Sequence, residues 1–249
     1  DACSRAQVLL ERVLPSWGEF FRTTLHMEGA YCAVYLDPRP ETAGRLLESL
    51  EPVDLPGTMR FIARSVRGEL ELTRGNVRTA ALIQRVSLHY ARHWRSILGA
   101  GSQWELYILS MCLVTDVELS PDDAVELDAR AVRARATSLL REILSDPAPR
   151  QRDIPTLMAF AAAVGLSAVA AEDVGSDRRA VGGELVATAL AVGTNQTCRL
   201  LSHDYLRSRT ERLDARALAQ AEERIRSLDR GGLVAHAADL AGRLAGEVG

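Results

Sequence analysis

Ile154-Pro-Thr-Leu-Met-Ala-Phe-Ala-Ala-Ala-Val-Gly-Leu-Ser-Ala-Val-Ala-Ala171 runs for 18 residues without a charge. That length touches the lower bound for a membrane span. Its composition points elsewhere: Ala and Gly dominate where a span would be Leu-rich, and Pro155, Thr156 and Ser167 interrupt it. A helix hidden on all sides within a protein also loses its polar stripe. The stretch therefore reads as a buried core helix, and no membrane span is expected.

Downstream, 184–208 has the same small-residue character, across a charged, Gly-containing turn at 172–183. Ala161, Gly165, Ala168, Ala189 and Gly193 would let two backbones approach closely, so a central antiparallel helical hairpin over 154–208 is expected. Leu218, Ala221, Ile225 and Leu228, then Leu233, Ala237, Leu240 and Leu244, repeat at spacings of three and four. They predict two amphipathic helices clasping the hairpin, with Gly231-Gly232 as the turn between them.

Upstream, Ser120-Pro-Asp-Asp123 carries a capping hydroxyl, a proline suited to the first helical position and two carboxylates against the positive dipole end. Val125, Ala129, Val132, Ala136, Leu139 and Ile143 continue one apolar face as far as the stop at Asp146-Pro-Ala-Pro149. Arg130, Arg133, Arg135 and Arg141 fall on or beside its polar side. Further helices are predicted over 2–27 (interrupted by Pro15), 41–50, 76–98 and 104–113. Two short segments, 31–36 and 66–72, look different. The first is rich in strand-favouring residues and the second alternates apolar with charged, so a small two-stranded β-ribbon is expected in the first third. The expected fold is mainly α, a bundle of eight to ten helices. An N-terminal part at 1–118 and a C-terminal bundle at 119–249 could also pack as one domain.

None of the 30 basic residues is a lysine. Selection against amine conjugation, as in a protein delivered into a host cytosol, would explain this; so would a GC-rich genome encoding an ordinary cytoplasmic protein. The net charge of −3 argues against a general nucleic-acid-binding surface, and aromatic residues, at 5%, leave little for stacking platforms. Four widely spaced cysteines form no CxxC pair, and without lysine no Schiff-base enzyme is available.

Two constellations could carry chemistry. His89 and His93 sit four apart on a predicted helix and share a face, a start for a metal or acid–base site, but the HExxH glutamate is missing. No metal or cofactor is named by the sequence. Asn195, Arg199, His203 and Arg207 recur every four residues, with Asp204 beside them. Such a stripe could grip a phosphate or carboxylate, and His203 with Asp204 could exchange a proton near neutral pH.

The layout of the last hundred residues resembles that of isoprenoid synthases, in which a late helix holds magnesium through an Asn, a hydroxyl and a carboxylate at four-residue spacing. Asn195 matches the first place, while Arg199 and His203 stand in the others and no DDxxD partner is present. The resemblance implies layout only. The leading expectation is thus a non-catalytic helical interaction or regulatory protein with a protein partner, self-association included. The alternative is a helical enzyme or carrier for an apolar ligand bearing a phosphate or carboxylate.

Overall fold

The computed structural model describes residues 19–35, 39–51, 57–98, 103–145, 153–194 and 199–246. Among them are eleven α-helices, one 3-10 turn and no strand. The chain divides into two compact units, Asp1–Tyr90 and Ala91–Gly249.

In the first unit, α1 (Glu19–Tyr35), α2 (Pro40–Glu48) and α3 (Gly57–Thr73) pack on one another. Met27, Ala30, Ala33 and Val34 of α1 meet Ala43 and Leu47 of α2 and Val66 and Leu70 of α3 in one apolar cluster. The expected β-ribbon is not there. Residues 31–35 end α1 and 66–72 lie inside α3; Leu36 lies outside the described residues. The alternation that suggested a strand is accidental: Phe61, Ser65 and Glu69, and beside them Val66 and Leu70, are buried at four-residue spacing, and Glu71 is buried as well. Burial of Glu71 is met by hydrogen bonds from Arg74 (3.0 Å) and Asn76 (2.7 Å) at the helix end. The division between the units falls within α4 (Val77–Leu98).

The second unit holds α5 (Gln103–Asp116), α6 (Pro121–Glu126), α7 (Ala129–Leu144), α8 (Ile154–Ala170), α9 (Ser176–Val192), a 3-10 turn (Arg199–Leu201), α10 (His203–Ile225) and α11 (Arg230–Gly246). The uncharged stretch is α8, and every residue from Leu157 to Val169 is buried. Among the described residues, no helix is long and apolar enough to cross a membrane. Instead α8 packs against α5, α7, α9 and α10.

Gly182 and Gly183, read from sequence as a turn, lie inside α9. The role of Gly182 is proximity. A Cβ on Gly165 would stand 2.5 Å from the Gly182 carbonyl oxygen, and one on Gly182 would stand 2.7 Å from that of Gly165. Two backbones touching leave no room for any side chain, so only glycine fits at this crossing.

The helix read over 120–143 is two helices. Ser120 caps α6 as expected, its hydroxyl accepting from the Asp123 N–H at 3.2 Å. The chain then breaks at Asp128, which takes a left-handed conformation (φ 52°) and caps α7 through the Ala131 N–H. Aspartate tolerates that conformation better than most residues. Gly231 and Gly232 likewise belong to the first turn of α11; the stop is made by Asp229, whose carboxylate accepts from the Gly232 N–H at 2.7 Å. α10 is kinked at Asp214, which re-caps its second half through the Ala217 N–H.

Candidate functional site

The four-residue stripe expected on one long helix is divided. α9 ends at Val192, Arg199 falls in the 3-10 turn, and a new helix, capped by Ser202, begins at His203. Asn195 and the side chains of Arg199 and His93 lie outside the described residues. His203 and Asp204 share the first turn of α10, with Nδ1 and Oδ1 3.6 Å apart, the Asp204 side chain exposed and that of His203 partly so. His89 is exposed on α4, edge-on to the neighbouring Tyr90 ring. Among the described residues no group of three or more His, Cys, Asp or Glu could hold a metal ion.

Arg207 is held by two carboxylates. Glu222, across the kink, takes both of its terminal nitrogens, and Glu211, one turn on, lies 3.0 Å from Nε. The hydrogen bonds that Arg207 donates to Glu222, reinforced by both negative charges, raise the guanidinium pKa further. Two residues on, Arg209 pairs with Glu118, which also accepts from the Tyr205 hydroxyl at 3.1 Å. Burial and the adjacent carboxylate push the Tyr205 phenol well above its ordinary value. Charge on this part of α10 is therefore matched.

A different arginine group meets fewer carboxylates among the described residues. Along α7 the helical repeat places Arg130, Arg133, Thr137, Ser138 and Arg141 on one face, while Val132, Ala136, Leu139 and Leu140 enter the core. That face lines a cleft of about 660 Å³, closed by Ala168, by Asp173 and Val174 of the α8–α9 turn, by Arg178 of α9 and by the end of α11. Four guanidinium groups face one carboxylate there. Asp173 receives two hydrogen bonds from Nη2 of Arg133, at 2.6 and 2.8 Å, and Nε of Arg130 stands 3.7 Å away. Arg178 donates to the Leu244 carbonyl, one of the last-turn carbonyls of α11 that lack a helical partner. Arg141 is exposed and has no ion-pair partner among the described residues.

A second cleft, of about 530 Å³, adjoins this one and shares Arg130, Arg133 and Asp173 with it. Its other walls combine apolar residues, Leu113 and Val117 from the end of α5, Leu119, Ala124 and Val125 around α6 and Ala170 of α8, with the acidic residues Asp116, Asp128 and Glu172. Val125 is 82% exposed at its lip. A mainly apolar trough edged by acidic residues thus adjoins the arginine cleft, both within the second unit.

The arginines of α7 were visible in the sequence as the polar side of a helix. Asp173 and Arg178, about forty residues on, were not connected to them by any local signal. Compared with known protein families, characterised proteins and solved structures, the chain matches none.

Proposed function

We propose that the protein is a helical binding protein or carrier for an apolar molecule with an anionic head. The apolar body would lie in the trough between α5, α6 and α8, and the head among Arg130, Arg133, Arg141 and Arg178. The single observation behind this reading is the junction of a mainly apolar cleft and an arginine-lined one at Arg130 and Arg133. Guanidinium groups favour phosphate and carboxylate oxygens through charge-assisted hydrogen bonds, and the adjoining apolar walls add about 0.8 kcal/mol per buried methylene. In this reading α8 and α9 form a central antiparallel hairpin, and its turn carries Asp173 into the site.

Isothermal titration with alkyl phosphates of increasing chain length, kept below their micelle concentrations, tests the assignment. Affinity should rise about tenfold for each two methylenes until the trough is filled. Arg141→Ala should weaken binding by about 1.5–3 kcal/mol without destabilising the fold, because that side chain supports nothing else. Absence of any chain-length dependence would end the proposal.

A specific observation also favours a protein partner. Leu82, Val86 and Tyr90 are 46%, 46% and 40% exposed, and they lie four apart on α4. They form an apolar stripe of the kind that docks into a groove, with the Arg64 guanidinium 4.7 Å from the Tyr90 ring centroid. Replacing all three by Ser should abolish co-purification or self-association while leaving amphiphile binding intact.

A further inference from the structure

We propose that α10 is a hinge, and that its C-terminal half together with α11 is exchanged between two copies of the chain to give a domain-swapped dimer. This inference is independent of the amphiphile reading above.

It begins with a mismatch between sequence and shape. Residues 203–225 contain neither glycine nor proline. Ala, Leu, Arg, Glu and Gln make up most of 206–225, and these are strong helix formers. Yet the helix does not run straight. Arg207 donates two hydrogen bonds to Glu222, 15 residues on, the one from Nη2 at 3.2 Å. In an unbroken helix those positions stand about 22 Å apart along the axis, beyond the reach of the two side chains. The chain therefore folds back, and it turns at Asp214, whose φ of −158° and ψ of 81° are not helical.

Little holds that turn. The Asp214 carboxylate accepts from the Ala217 N–H at 2.9 Å, and the partly exposed Arg207–Glu222 pair bridges the two halves. Every residue from 211 to 216 is exposed, Leu213 at 42%, so the bend is not packed into the core. The flanks, by contrast, are anchored. Before the bend, Leu206 and Thr210 are buried, and Tyr205 and Arg209 bond to Glu118. After it, Leu218, Ala221 and Ile225 pack with Ala187 of α9 and Leu233 of α11. The match is polar as well as apolar. Glu184 of α9 takes Arg224 from α10 and His236 from α11, each at 2.8 Å.

Straightening α10 restores the helical hydrogen bonds interrupted at Asp214 and lifts 215–246 away from its own α9. The bared surface then presents Ala187 beside the Glu184 carboxylate. A second copy of this chain carries, by identity, the apolar residues, the arginine and the histidine that fit it. The copy's own α9 receives the first segment in return, and the exchange closes as a two-fold dimer. Arg207 of each chain then faces Glu222 of the other.

The exchange requires 215–246 to leave its own body, so the test unfolds the full chain in denaturant and refolds it at low and high concentration. Analytical ultracentrifugation reads the mass. High concentration should give a dimer that returns slowly to monomer on dilution. Asp214→Ala removes the cap and places the best helix former at the bend, so the dimer dissociation constant should fall about tenfold or more. Asp214→Asn keeps a capping oxygen and should match the unaltered chain. Circular dichroism verifies that each variant is folded.

Charge reversal separates a swap from an ordinary dimer. Arg207→Glu and Glu222→Arg each set like charges across the bend of their own chain, whereas a mixed swapped dimer has opposite charges at both places. Refolded together, the two variants should give mixed dimers that outnumber both homodimers combined by about threefold, where chance gives equal numbers. An Asp214→Ala chain that stays monomeric at every concentration would overturn the proposal. So would mixed dimers at the chance frequency, because an ordinary dimer keeps Arg207 and Glu222 within one chain.

Discussion

Two groups of arginines in the same unit meet opposite fates. On α10, Arg207 is clamped by Glu211 and Glu222, and Arg209 by Glu118. On α7, Arg135 is absorbed by the buried Glu105 at 2.6 Å, but Arg130, Arg133 and Arg141 face a cleft that offers only Asp173. The difference shows that a periodic row of arginines does not by itself make an anion site. What decides it is the number of carboxylates that the rest of the fold brings within reach. Those carboxylates lie 4 and 15 residues away for Arg207 and 91 for Arg209.

Both groups hang on the contact between α8 and α9, so the strongest way to break the comparison is to part those helices. Gly165→Ala should cost about 3 kcal/mol or more, because its Cβ meets backbone atoms that cannot turn aside. The control is Gly242→Ala in α11, where a Cβ meets nothing within 4 Å; it should stabilise by about 0.5–1 kcal/mol. Denaturant melts of the two variants give both numbers.

The next effects separate structural arginines from binding ones. Glu118→Ala leaves Arg209 and the Tyr205 hydroxyl without their shared acceptor, and about 2 kcal/mol of stability should be lost, discounted for partial exposure. Arg207→Ala, at a more exposed site, should cost about 1 kcal/mol or less. Neither should change amphiphile affinity. A loss of binding in the Arg207 variant would mean that the α10 stripe is the anion site after all.

What the sequence made legible follows the same division. The helix start announced by the Ser120 cap and the core helix announced by the long uncharged run, α8, are where they were expected, although the first helix stops at Glu126 instead of continuing to 143. α3 was not legible: Glu69 and Glu71 are buried, so the charges that seemed to mark a solvent face mark the inside. Gly182-Gly183 and Gly231-Gly232 read as breaks because glycine usually is one. The first pair sits inside α9, with Gly182 against another backbone, and the second follows the capping Asp229. For the site, the row on α7 was readable as a polar face, but its significance depends on long-range partners that no local pattern reports.

The smallest effect concerns a third ion pair set that links α9, α10 and α11. Burial alone would raise the Glu184 carboxyl, but hydrogen bonds from Arg224 and His236, each 2.8 Å long, bring it below its ordinary value of 4.5. A carboxyl lowered on folding adds stability that is complete above its unfolded value and is lost as pH falls through the folded one. Glu184→Gln should therefore flatten the acid limb of the stability–pH curve below that value, while leaving the arginine cleft unchanged.

The most direct measurement is a crystal structure of the complex with dodecyl phosphate. The expected result is the phosphorus between Arg133 and Arg141, with the alkyl chain running past Leu113 and Val117 toward α6, and Asp173 released from Arg133. Density for the head at Arg207, or a chain lying anywhere outside the α5–α6–α8 trough, would contradict it.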